Sequence, residues 1–160
     1  MRVIGIDPGS RRMGWGVVER VGTRLEHVAH GVIVAGTGEL PGRLLTIDRE
    51  LTEAVSAHAP SCAAMETIFF GKNAQSAVKL GHARGAAMVV LARAGLTIGE
   101  YQPTLVKRAV VGAGRASKEQ LARLVTALLR LPKPPPEDAA DALAVAITHA
   151  NASRFAALVR

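Results

Sequence analysis

The chain has 160 residues, a length that suits one domain with a sizeable core, and its 20 Lys and Arg against 13 Asp and Glu give a formal net charge of +7. This basic balance favours a polyanionic partner, with a basic surface kept for solubility as the alternative. No apolar run approaches the ~18 residues of a membrane span, the N-terminus has no signal-peptide layout, and one cysteine excludes a disulfide within the chain. We therefore expect a single domain over residues 1–160 that is cytoplasmic and has no membrane partner.

The first third of the sequence predicts a three-stranded meander. Apolar and β-branched runs indicate strands at 2–7, 14–19 and 25–35, and glycines lie in the links between them. Apolar residues recur at three- and four-residue steps over 40–58, which predicts an amphipathic helix. A fourth strand is expected at 62–66, and its Cys62 is expected to be a small core side chain.

The rest of the chain predicts mainly helices. A long helix rich in small residues is expected at 74–94, a strand near 97–101, and helices at 103–111, 117–131 and 137 to about 154. A proline triplet precedes the last helix and sets its start. The order βββαβαβααα predicts an α/β protein with a mixed five-stranded sheet flanked by helices.

Acidic residues stand in apolar settings at three places. Asp7 ends the first predicted strand, Glu66 ends the fourth, and Asp138 and Asp141 are three residues apart on one face of an alanine-rich helix. A carboxylate in such a place is unfavourable unless a cation or donor lies opposite it. Mg²⁺ takes carboxylate ligands, and phosphodiester cleavage often uses two such ions. The pattern predicts a magnesium site on a nucleic-acid-binding protein.

Each acid also has a structural alternative. Asp7 precedes Pro-Gly and could form a turn, and Glu66 could be an ordinary strand-end acid. Asp138 could interact with the dipole at a helix N-terminus, and Asp141 could be a solvated helix residue. The coincidence of all four favours the metal site. His149 lies ~12 Å from Asp141 along the helix, too far to share an ion, and is expected to be structural.

Four motifs carry a resemblance to a known family. They occur in order along nearly the whole chain: Gly5-Ile6-Asp7-Pro8-Gly9-Ser10 with Gly14-Trp15-Gly16, Glu66 to Phe69 with Lys72-Asn73-Ala74, Val106-Lys107 with Gly112-Ala113-Gly114 and Lys118, and Asp138 to Ala144. Together they resemble the RuvC family of bacterial Holliday-junction resolvases. The resemblance implies a ribonuclease-H-like fold and a homodimer in which each subunit nicks one of two opposed strands of a four-way DNA junction.

The resemblance also implies roles for single residues. Lys107 and Lys118 would contact phosphate near the scissile bond, and Phe69 would stack on a base at the junction crossover. The branch-migration complex RuvA–RuvB would be a partner. Two Mg²⁺ ions per site, for which Mn²⁺ would substitute, would be bound by four carboxylates: Asp7, Glu66, Asp138 and Asp141.

Further basic residues flank the acidic segments and are candidate DNA contacts, although each alone is more often a solvated charge. They are Lys72, Lys79, Arg84, Arg108 and Arg115. Phosphate contacts of this kind would make binding strongly salt-dependent. Gly81 and Gly85, one turn apart on the long helix, favour either close packing on the sheet or a two-fold interface between subunits.

We expect metal-assisted hydrolysis in which a metal-bound water attacks the phosphorus in line and leaves 5′-phosphate and 3′-hydroxyl ends. Two other classes of protein stay open. Asp-Pro-Gly-Ser after a strand also occurs in actin-like ATPases and sugar kinases, but those need two such domains around a nucleotide. An architectural protein could hold branched DNA without cutting, although buried acids near phosphate argue against it.

Overall fold

The computed structural model describes residues 1–67, 74–112, 114 and 116–158, with backbone only at Ala74 and at 154–158. Its elements follow the order predicted from the sequence. The strands are β1 (Arg2–Asp7), β2 (Arg12–Val21), β3 (Arg24–Val34), β4 (Cys62–Glu66) and β5 (Ile98–Tyr101), and the helices are α1 (Leu40–His58), α2 (Ala74–Arg93), α3 (Pro103–Val111), α4 (Lys118–Leu128) and α5 (Glu137–Leu158). The predicted α/β class with a mixed five-stranded sheet is confirmed.

Some element boundaries differ from the prediction. Strand β2 is longer than 14–19 because it pairs with β3 from Arg12 to Val21. Helix α4 ends before residue 131 because Arg130 has a φ of 52°, in the left-handed region that a right-handed helix cannot include. None of the helices in the described ranges is long and apolar enough to cross a lipid bilayer.

The sheet has the strand order β3-β2-β1-β4-β5. Strand β1 is antiparallel to β2 and parallel to β4, with Ile6 opposite Met65, and β4 is parallel to β5. Because neighbouring parallel strands end at the same edge, the last residues of β1 and β4 lie side by side. This edge therefore carries both Asp7 and Glu66.

Helices cover both faces of the sheet. Helices α1 and α2 pack on the face that includes Ile4, and α3, α4 and α5 pack on the face that includes Val3 and Cys62. Side chains alternate between the faces along a strand, so Asp7 follows Val3 and Glu66 follows Cys62 on the second face. Both carboxylates consequently lie on the side of the sheet that α5 covers.

Helix α5 approaches the sheet at glycine residues. Gly5 and Gly16 are paired across β1 and β2. A Cβ atom at Gly5 would lie 2.0 Å from the carbonyl oxygen of Ala142, and one at Gly16 would lie 2.6 Å from the Leu143 side chain. Because these strand positions have no Cβ, the helix lies directly on β1 and β2.

Two predictions about single residues agree with the structure. Cys62 is buried in the core with a free thiol. His149 belongs to α5, and its Nδ1 lies 2.9 Å from the hydroxyl of Tyr101 on β5. This contact ties the helix to the sheet, which is a structural role.

Candidate metal and nucleic-acid site

Two carboxylates occupy the neighbouring ends of β1 and β4. Burial raises the pKa of Asp7 to about 8, and the charge of Asp141 adds to this effect, followed by that of Glu66. Burial also raises the pKa of Glu66 to about 7, again reinforced by Asp141 and opposed by the charges of Lys107 and Lys118. The two strand ends thus hold acids that a nearby cation would favour in the ionised form.

Helix α5 brings the other two acids to this edge. Gly14 is paired with Asp7, and a Cβ at Gly14 would lie 1.9 Å from the carbonyl oxygen of Asp138. The first turn of α5 therefore lies over the end of the β1–β2 ladder. Asp141 follows on the same helix face, and burial raises the pKa of its carboxyl, opposed mainly by the charge of Lys118.

Asp138 has a different environment from the other acids. Its Oδ2 accepts a hydrogen bond from Nε of Arg12 at 2.8 Å, and its side chain is 28% exposed. The carboxylate is thus paired at the rim of the site. A metal ion would have to compete with Arg12 for it.

Two lysines, Lys107 and Lys118, act on the acids through their positive charges. Lys118 begins α4, its Nζ is 3.7 Å from Oδ2 of Asp141, and it also forms an ion pair with Glu137. The hydrogen bond with Glu137 is the largest cause of the raised pKa of Lys118. Lys107, on α3, lowers the pKa of Glu66 through its positive charge. Positive and negative groups therefore share one edge of the sheet.

The chemistry of the donor set fits a hard divalent cation. Oxygen ligands from carboxylates are the ligands that Mg²⁺ prefers, and desolvated acids with raised pKa values gain from a neighbouring positive charge. In the described part of the chain, however, no three His, Cys, Asp or Glu side chains are grouped closely enough to hold one metal ion. The charges of the four acids interact, but among the described residues their side chains do not form a preformed coordination site.

The remaining predicted DNA contacts have different positions. Phe69, Lys72 and Arg115 lie outside the described residues. Lys79 is exposed on α2, and Arg108 is exposed on α3. These two side chains can reach a ligand at the protein surface.

Arg84, a candidate DNA contact in the sequence, also makes contacts within the protein. Its side chain is 15% exposed and forms an ion pair with Glu100 of β5. Its Nε also donates to the backbone oxygen of Glu66 at 3.4 Å. Arg84 therefore connects α2 to the strand ends and supports the segment that carries Glu66.

Two residues of the site were not predicted from the sequence. Gly14 determines how closely α5 approaches Asp7. The sequence feature that could have identified it is the spacing of Gly14 and Gly16, which places both on one face of the strand. Arg12 pairs with Asp138 across 126 positions of sequence, and no local pattern indicates that contact.

The comparisons with known proteins point to one family. The family model described as crossover junction endodeoxyribonuclease RuvC matches residues 3–149. A curated protein of that name from Sorangium cellulosum (strain So ce56) is 60% identical over 158 residues, which are 98% of this chain and 88% of that protein. The solved structure of Thermus thermophilus RuvC in complex with a Holliday junction substrate matches with a TM-score of 0.91 at 35% identity, covering 98% of this chain and 96% of that one.

A more distant structure shares the fold. The yeast mitochondrial Holliday junction resolvase Ydc2 matches with a TM-score of 0.66 at 10% identity, covering 91% of this chain and 76% of that one. The expected ribonuclease-H-like fold is thereby confirmed. The family model and the high identity to curated relatives show that this chain belongs to the RuvC family of crossover junction endodeoxyribonucleases.

Proposed function

We propose that this chain is a magnesium-dependent endonuclease that resolves four-way DNA junctions by symmetric paired nicks in recombination and repair. Membership of the RuvC family supports the reaction class. The match to T. thermophilus RuvC with its Holliday junction supports the substrate. The observation that carries the proposal is the geometry of one sheet edge, where Asp7 and Glu66 end neighbouring parallel strands and the first turn of α5 lies beside them with Asp138 and Asp141.

The four acids would hold two Mg²⁺ ions, with Mn²⁺ as a substitute. Bound there, the ions would supply an activated water and stabilise the leaving oxygen. The carboxylates of Asp7 and Glu66 would bind in their ionised form, which a cation favours over the protonated form. Repulsion between the ionised acids opposes their closer approach, and the positive charge of a metal ion would offset it. Asp138 would have to leave its partner Arg12 to bind the metal.

The lysines would act on the phosphate. The side chain of Lys118 is 61% exposed and its Nζ lies near Asp141, which leaves the ammonium group accessible beside the acids. Lys107 brings a second positive charge to the same edge. Both would stabilise the negative charge that develops on the phosphoryl oxygens during in-line attack. Hydrolysis in this geometry would leave 5′-phosphate and 3′-hydroxyl ends.

Paired nicks call for two copies of the chain, and helix α2 supplies a candidate surface for dimerisation. Apart from the nearby backbone of α2 itself, no atom of the described residues lies within 4 Å of a Cβ built at Gly81 or Gly85, so these glycines are not used to pack on the sheet. Val78 and Val89 on the same helix are 58% and 56% exposed. This open, partly apolar helix face supports a homodimer.

Other parts of the proposal come from the family. Phe69, Lys72 and Arg115 are proposed as junction contacts together with Lys79 and Arg108. RuvA–RuvB is the expected branch-migration partner, and a cytoplasmic location accords with action on bacterial DNA.

The ATPase alternative has lost its support, because a junction-nuclease family matches residues 3–149. Binding of junctions without cleavage is the remaining rival.

The test compares a synthetic four-way junction with a linear duplex of the same arms, with and without Mg²⁺. We expect metal-dependent, religatable paired nicks in the junction alone. Equal cutting of both substrates would show a nuclease without structure selectivity, and binding without cutting would favour the architectural protein.

Two matched variants test the metal site in the same assay. Asp7→Asn should abolish cleavage and keep junction binding. Asp48→Asn makes the same chemical change at an acid of α1 that pairs with Arg93, and it should cut normally. Normal cutting by Asp7→Asn would show that the metal-site assignment is wrong.

A further inference from the structure

A separate basic pocket lies beside the loop that follows Asp7. Its volume is about 450 Å³, and its described lining comes from the loop after β1, the loop into α1 with the first turn of that helix, and the start of α2. Ser10 and Arg11 contribute from the first segment, Arg43 from the second and Lys79 from the third. None of these residues belongs to the proposed metal site.

Arg43 is the unusual residue of this pocket. It is 7% exposed, and its Nη1 donates to the carbonyl oxygen of Ser10 at 3.0 Å and to the Ser10 hydroxyl at 3.4 Å. Its Nε is buried and has no hydrogen-bond partner among the described residues. Within the same part of the chain, no ion pair includes Arg43. A buried guanidinium with an unsatisfied N–H and no carboxylate is unfavourable unless an anion compensates it.

Other features of the pocket also favour an anion. Helix α1 has 19 residues, its first turn contains no acid, and its N-cap residue Glu39 makes no side-chain capping hydrogen bond. Because Glu39 and Leu40 line the pocket, the positive end of the helix dipole lies there. Arg11 and Lys79 add positive charge at exposed positions. Among the described residues of the lining, Glu39 is the one acid, and it is exposed to solvent.

The position of the pocket bears on which kind of anion would suit it. Ser10, which Arg43 holds, comes three residues after Asp7 at the proposed cleavage site. A DNA strand with its scissile phosphate at that edge has further phosphates one and two nucleotides away on the same backbone. An Arg fork is suited to a phosphate because it offers parallel N–H donors.

We propose that this pocket binds a backbone phosphate of the junction strand other than the scissile one, with Arg43 as the buried donor and Lys79 as a charge at the rim. The proposal rests on the proposed function, since it assigns a second contact to the same DNA. Through its hydrogen bonds to Ser10, Arg43 would also connect the bound phosphate to the loop that follows Asp7.

The experiment measures binding of a fluorescent four-way junction over a series of salt concentrations in the Asp7→Asn background. Arg43→Gln and Lys79→Gln should each weaken binding by about tenfold. Each should also reduce the slope of log K against log salt by about 1, as expected for a lost phosphate contact. Glu39→Gln removes the opposing charge and should strengthen binding.

Controls separate binding from folding. Arg49→Gln makes the same change at a residue of α1 that is 68% exposed, and it should change neither the affinity nor the slope. Because Arg43 is buried, the Tm of each variant is measured alongside. Lys79→Gln alters an exposed side chain and tests the pocket even if Arg43→Gln fails to fold.

Each outcome supports or overturns the proposal. If the wild type neither binds nor cuts junctions, the proposed function fails and this inference fails with it. If the wild type cuts junctions but folded Arg43→Gln and Lys79→Gln proteins keep its affinity and salt slope, the inference alone is wrong. Specific stabilisation of the wild type by inorganic phosphate, without an effect of the variants on DNA binding, would identify a free-phosphate site and overturn the assignment to DNA.

Discussion

Asp7 and Gly14 are paired across the β1–β2 ladder, and this pairing brings the last helix to the acidic edge. A Cβ at Gly14 would lie 1.9 Å from the carbonyl oxygen of Asp138, so only a residue without one allows α5 to begin there. Asp141 follows one turn later. Its charge is the largest contribution, after burial, to the raised pKa of Asp7.

Gly14→Ala should displace the start of α5 and separate the acids. Overpacking of this kind costs about 1–3 kcal/mol or more, because the contacted atom belongs to the backbone. We expect a lower free energy of unfolding in denaturant and a larger fall in single-turnover cleavage than in junction binding. Gly42→Ala is the matched control, because a Cβ there meets open space in the described structure. Wild-type stability and cleavage in Gly14→Ala would contradict the positioning role of this glycine.

The raised pKa of Asp7 predicts a pH-dependent stability in the absence of divalent metal. Between its ordinary value of 3.8 and about 8, the folded state retains a proton that the unfolded state has lost. The free energy of unfolding should therefore fall as the pH rises through this window. Glu66 should add a similar fall between 4.5 and about 7.

Thermal unfolding in a chelator measures this effect. Asp7→Asn removes the titrating group, so its Tm at pH 8 should exceed that of the wild type, and the two should converge below pH 4. Added Mg²⁺ should raise the Tm of the wild type more than that of the variant. Parallel Tm curves for the two proteins over the whole pH range would show that the pKa of Asp7 is not raised in the folded protein.

Gly81→Glu should weaken self-association of the chain without unfolding it. A Cβ atom at Gly81 meets open space among the described residues, and replacing a helical glycine should stabilise α2 by about 0.5–1 kcal/mol. A carboxylate on the proposed dimer surface would be desolvated and would face its own copy. Sedimentation equilibrium measures the result, and Gly42→Glu on α1 is the control. A Gly81→Glu protein that dimerises like the wild type would exclude this helix face as the interface.

Arg12→Gln should lower the Mg²⁺ concentration needed for half-maximal cleavage. Arg12 donates to Asp138 at 2.8 Å and is 53% exposed, so its removal frees a proposed metal ligand. An exposed ion pair contributes about 0–1 kcal/mol, and the Tm should change little. Cleavage rates are measured over a Mg²⁺ series, with Arg49→Gln as the control. A higher Mg²⁺ requirement would instead give Arg12 a favourable part in metal or DNA binding.

The local sequence predicted the strands and helices because each depends on residues only a few positions apart. Apolar alternation and helical periodicity identified the elements in the correct order. The same patterns put Asp7 and Glu66 at strand ends. The position of Asp138 and Asp141 on one helix face followed from their spacing alone.

By itself, then, the sequence determined the element order, the positions of the acids and, through its motifs, the family resemblance. Only the tertiary structure decided which groups meet: Arg12 with Asp138, Arg84 with Glu100, and Arg43 with Ser10. These pairs join residues 126, 16 and 33 positions apart. Their contacts depend on which strand faces which helix and on how closely glycine lets them approach, and no pattern over a few neighbouring residues contains that information.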